Sequence, residues 1–163
     1  MATDFQFHYI LCSTPPELEA EREEFEAAVA RFVADVTIAD GVLFAPASFR
    51  PPIVAANQKP LIESNIRMCE FIVPVFGEAR PDPVFAGFAE YALGCCAEPG
   101  AKKRVCVFFR NFAAAAREAR QFRERLAAGG ACELRDYSGP ADFAAQLDDL
   151  LRAWYAPLKK LAV

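Results

Sequence analysis

Five short runs of β-forming residues alternate with helical stretches along this chain, and that alternation constrains the fold more than any other feature. The runs are 5–12, 41–45, 71–76, 104–109 and 132–137. The first, FQFHYILC, ends at Ser13-Thr14-Pro15-Pro16-Glu17. There Thr14 is placed to cap a helix, Pro15 to take its first position and Glu17 to complete a capping box. Leu18, Phe25, Val29, Phe32 and Val33 follow at helical spacing to about residue 34. Residues 46–59 read as a long Pro-rich loop holding Arg50, and a short helix is expected after Pro60. Pro74 is awkward inside the third run because it cannot donate to a ladder, and it fits where the strand begins to leave the sheet. Asp82-Pro83 opens the next helix as cap and first residue. Asn111 is expected to cap a helix that Gly129-Gly130 stop. Phe143, Leu147, Leu150, Leu151 and Trp154 share one stripe of a last helix.

Strand-helix alternation of this kind predicts a parallel sheet covered on both faces. The right-handed crossover rule narrows it to an α/β, flavodoxin-like three-layer sandwich of five strands in the order 2-1-3-4-5. With 163 residues, no internal repeat and no linker, residues 1–163 read as a single domain.

Composition excludes several function classes. At 54% hydrophobic and 25% charged residues the chain can bury a core. A net charge of −4 and a pI near 5.1 argue against direct nucleic-acid binding. The Arg-rich helix around 113–128 carries mixed signs and reads as a solvated face. No apolar run spans a bilayer and the first residues lack signal-peptide character, so a cytoplasmic protein with no membrane partner is expected. The six cysteines include no C-x-x-C and the single histidine, His8, lies in a strand pattern. Reduced, buried thiols and no metal site are expected.

In a doubly wound sheet, ligands bind at the carboxyl ends of the strands near the reversal of strand order. That points to loops 12–16, 45–59 and 76–84. Ser13 and Thr14 lie at a helix start, where free amides attract anions. Pro15 and Pro16 remove two donors there, and Glu17, Glu19 and Glu21 crowd the first turns. Arg50 and Arg80 are candidates for a substrate phosphate. Standard nucleotide loops are absent.

The stretch FAGFAEYALGCC, 85–96, carries one acid, Glu90. Phe85, Phe88, Ala89, Ala92 and Cys96 form the apolar face of that helix, and Glu90 lies about 140° from Phe85. Ala86, Gly87 and Gly94 flank it. The two glycines weaken a helix, and close approach of a ligand or partner is one reason to keep them. A solvated glutamate on a closely packed helix is the plainer alternative.

Phe7–Arg22, FHYILCSTPPELEAER, resembles the opening of a family of bacterial TIR-like domains, with Leu18-Glu19-Ala20-Glu21-Arg22 matching its L-x-x-E-R pattern. Ile62–Gly77 resembles the family's short helix, third strand and terminal glycine, and Phe88-Ala89-Glu90-Tyr91-Ala92 resembles its E-Y-x-x-A segment. The resemblance implies that Glu90 is the catalytic carboxylate. It would stabilise or trap the sugar cation formed when a glycosidic bond breaks. Ser13, Thr14, Arg50, Gly77, Glu78 and Arg80 are then the substrate-binding candidates. A Ser or Cys shortly before the catalytic Glu is usual in such domains, and here Gly87 and Phe88 stand in its place.

The implied function is an NAD-processing N-glycosidase that releases nicotinamide, or makes a cyclic ADP-ribose-type signal, in bacterial anti-phage defence. NAD is then a substrate, and no cofactor is implied. The expected partners are a nucleotide small molecule, and either a second copy or an operon-encoded protein. A non-catalytic TIR-like interaction module and a nucleoside deoxyribosyltransferase-like enzyme are the alternatives.

Overall fold

A computed structural model describes residues 4–49, 59–130 and 132–161. The strands are β1 (Gln6–Ser13), β2 (Val42–Phe49), β3 (Phe71–Phe76), β4 (Arg104–Arg110) and β5 (Glu133–Tyr137). The helices are α1 (Glu19–Phe32), α2 (Lys59–Met68), α3 (Pro83–Cys96), α4 (Arg117–Gly129) and α5 (Pro140–Leu161). All strand pairs are parallel and their order is β2-β1-β3-β4-β5, as the alternation predicts.

Two cores flank the sheet. One packs Phe25, Val29 and Phe32 of α1 and Phe143, Leu147 and Leu151 of α5 against Ile10, Cys12, Val73 and Phe108. The other packs Ile62 and Ile66 of α2, Phe85, Phe88 and Ala92 of α3 and Phe122 of α4 against Leu11, Ile72, Val107 and Phe109. The alternation within β1 decides which side each residue serves, because successive side chains point to opposite faces. On α3, Cys95 and not Cys96 completes the buried stripe.

Several local expectations change. Thr14 does not cap α1. Pro15 and Pro16 lead instead into a 3-10 turn, Pro16–Leu18, and no side chain caps it. Proline has no amide to offer a cap, so the capping box is not made. The second strand runs on through Pro46 to Phe49, where a loop was expected, because β2 pairs with β1 along its whole length. Its place at the sheet edge tolerates Pro46. Pro74 is the last residue of β3 paired with β1, and the ladder to β4 resumes at Val75 and Phe76. The strand therefore leaves its neighbour there, not the sheet.

Asn111 does not cap α4. It holds a left-handed backbone, φ 47°, at the turn out of β4, and α4 begins at Arg117. Asp82 caps α3 as expected, accepting from the Val84 amide at 2.8 Å. Gly130, φ 63°, ends α4 in the left-handed conformation that suits glycine.

Candidate functional site

The carboxyl edge of the sheet holds an ionic cluster centred on Arg110, the last residue of β4. Its Nε donates to both oxygens of Glu78, at 2.9 and 3.1 Å, and Nη2 donates to Glu78 Oε2 at 3.0 Å. Nη1 reaches across to Glu21 Oε1 on α1 at 2.9 Å. Asn111 Nδ2 adds a bond to Glu78 at 2.7 Å, and the Tyr137 hydroxyl donates to Glu21 Oε1 at 3.1 Å. The backbone carbonyl of Glu78 accepts from the Ala116 amide, just before α4. One guanidinium thus joins α1, β4 and the turn after β3, and Tyr137 brings in β5.

Two carboxylates share a single cation here. The Glu21 side chain is 1% exposed, and its Oε2 has no hydrogen-bond partner among the described residues, nor has the buried Ser13 Oγ. The bidentate bond from Arg110 holds the Glu78 carboxyl down at about 2, against the desolvation that opposes it. Burial, and then the nearby Glu21 charge, push the Tyr137 phenol up, which keeps it a donor. Arg110 in turn is pushed up by its bonds to Glu78.

Leu18 and Arg110 also close the crevice between β1 and β3. A Cβ added at Gly77 would meet Leu18 at 3.5 Å and the Arg110 guanidinium at 3.8 Å, and Ser13, Thr14 and Gly77 are all buried. Of the expected binding loops, those at 12–16 and 76–84 therefore pack closely together around Gly77, and residues 50–58 of the third lie outside the described residues. Gly77 and Glu78 belong to this cluster, Arg80 is exposed in the loop beyond it, and Arg50 lies outside the described residues.

Glu90 stands elsewhere, more than one helical turn along α3 and on its outer flank. Its side chain is 48% exposed and accepts from Arg125 of α4 at 2.5 Å. A Cβ added at Gly87 or Gly94 would meet nothing within 4 Å, so no neighbouring element among the described residues presses on those glycines.

The reading of residues missed Glu21, Arg110, Asn111 and Tyr137. One signal was available: a charged residue closing the apolar run VCVFF lies at the carboxyl edge by the logic of the fold. Elsewhere, burial pushes the Cys12 and Cys106 thiols up, which suits inert core cysteines.

No protein-family model matches the chain, and no curated protein matches it.

The cluster makes stability depend on acid. Glu78 titrates near 4.5 when unpaired and at about 2 in the fold. Its contribution is complete above the higher value and is lost as pH falls through the lower one. Glu78→Gln is expected to remove roughly 1–2 kcal/mol at neutral pH, after discounting for partial exposure. It should also flatten the loss of stability between pH 4.5 and 2. Urea unfolding of both chains across that range measures this.

Proposed function

We propose that this chain is a TIR-like protein-interaction module that pairs with a second copy of itself through the β1–β2 face of the sheet. One observation carries the reading: β1 is a central strand, yet Phe7 and Tyr9 on one face of it, and Phe5 just before it, are 59, 46 and 42% exposed. By pleat alternation they lie on the side of Leu11, the side that α2 and α3 cover further along. The register sets Phe7 beside Leu43 and Tyr9 beside Ala45 of β2.

Leu61 and Met68 of α2 extend this surface. Arg67 contacts Tyr91 of α3 at 2.5 Å, and Leu61 and Met68 occupy the opposite flank of α2, both more than half exposed. That flank is the one turned away from α3. The five side chains expose about 500 Å² of mostly apolar surface. A stable interface needs about 800 Å² from each partner, with roughly 65% apolar at its core. These five side chains supply roughly 60% of that area as the apolar core of an isologous pair, and the polar rim around them must supply the rest. Pro46 on the adjoining edge strand works against edge-to-edge pairing, so the contact is face to face.

The charge at the carboxyl edge supports the same reading. Two carboxylates to one guanidinium repel a pyrophosphate, and the crevice beside Gly77 is filled. Light scattering over a concentration series should give twice the 17.9 kDa chain mass, and the pair should persist or strengthen in sulfate, which favours apolar contacts. A single-chain mass at all concentrations would refute the proposal.

A second reading, an NAD-processing N-glycosidase using Glu90, is favoured by the open flank that Gly87 and Gly94 leave beside that carboxylate. The interaction-module reading predicts no nicotinamide release above the protein-free rate at concentrations where the chain has paired. Release that Glu90→Gln abolishes would establish the enzymatic reading instead.

A further inference from the structure

A cavity of about 610 Å³ opens at the opposite, amino end of the sheet, below β3, β4 and β5. It falls within the range of small-molecule sites. Phe71, Trp154, Pro157 and Leu158 form its apolar wall, and Lys102 and Arg104 stand at its lining with no ion-pair partner among the described residues. The acids that line it are committed elsewhere: Glu70 bonds His8 Nδ1 at 2.9 Å, and Glu133 pairs with Arg135 at 2.7 Å. The third cation, Lys103, donates to the carbonyls of Ile66, Arg67 and Cys69, holding the end of α2. Two cations are left over, on the lining of a cavity that also has apolar side chains, in a chain of net charge −4.

We propose that this cavity binds an amphipathic anion, with a phosphate or carboxylate head on Lys102 and Arg104 and an aliphatic or flat apolar body against Trp154, Pro157 and Leu158. The wall is well fixed, because Trp154 stacks on Phe71 with ring centroids 5.0 Å apart. Neither half of such a ligand suffices alone. Exposed cations bind a lone phosphate weakly in water, and an apolar molecule leaves both cations unused. The proposal does not depend on self-association, since Phe5, Phe7 and Tyr9 line no part of this cavity.

Trp154 is the only tryptophan and lines this cavity, so its fluorescence can report a ligand seated there. Octyl phosphate, titrated below its micelle concentration, is expected to change Trp154 emission saturably. Inorganic phosphate and 1-octanol should produce no saturable change in the same range. Lys102→Glu with Arg104→Glu should weaken binding at least about tenfold. Both residues lie at or near the surface and the variant is expected to fold, which circular dichroism checks. The Phe7→Asp chain should bind as the parent does. Equal binding by the double charge variant, or equal response to octanol, would overturn the proposal.

Discussion

Arg110→Met is expected to lower the free energy of unfolding by about 3–5 kcal/mol, the usual cost of removing one partner of a buried ion pair. Methionine keeps most of the volume and the apolar stem. What is lost is the cation paired with the Glu21 side chain, which is 1% exposed and has no other cation partner among the described residues, and the bidentate partner of Glu78. Tyr137 remains as a single donor to Glu21. Removing the stranded acid as well should recover much of the loss, because a buried pair replaced by apolar groups is often close to neutral. Glu21→Leu with Arg110→Met is therefore expected to be more stable than Arg110→Met alone. Urea unfolding of the three chains measures both differences. A loss below about 1 kcal/mol for Arg110→Met would mean that the cluster is not what holds α1 to the sheet edge.

Phe7→Asp is expected to raise the dissociation constant of the pair by roughly a thousandfold or more. Burying the exposed part of one Phe7 is worth about 3 kcal/mol, and an isologous interface loses that contribution twice. Each factor of ten in affinity is about 1.4 kcal/mol, so even half of this loss exceeds a hundredfold. The folded chain should tolerate the change, because Phe7 is 59% exposed and such surface positions usually shift stability by no more than about 0.5 kcal/mol. Phe7→Thr removes the apolar area while keeping β-propensity. It should weaken pairing less than Phe7→Asp, since it buries no charge.

The fold was legible because its signals are periodic and local. Phe143, Leu147, Leu150, Leu151 and Trp154 read as one stripe and are buried as one stripe. Cap positions were harder. Thr14 and Asn111 have cap-like chemistry, but the backbone at Pro15–Pro16 and the left-handed φ at Asn111 carry the chain another way. The ionic cluster was not legible, because it joins Glu21 to a residue 89 positions away. In sequence, Glu21 is one of several acids on a helix that looks solvated.

Glu90 illustrates the reverse problem. Its small neighbours were read as room for a ligand, and the room exists, but on the outer flank of α3 and beside Arg125, not over the sheet edge. The exposed aromatic face of β1 was not legible in the sequence, for a geometric reason. FQFHYILC looks like a strand buried on both sides, and burial depends on what lies across it. Helix α2 has 10 residues and spans about 15 Å, whereas the 8 residues of β1 span about 26 Å. No sequence period reports that shortfall.

Sedimentation equilibrium of the parent chain and Phe7→Asp, side by side at one concentration, tests the central claim most directly. The parent is expected to sediment at twice the chain mass of 17.9 kDa and the variant at the single-chain mass, with both giving the same circular dichroism. Equal masses for the two chains would contradict pairing through the β1–β2 face.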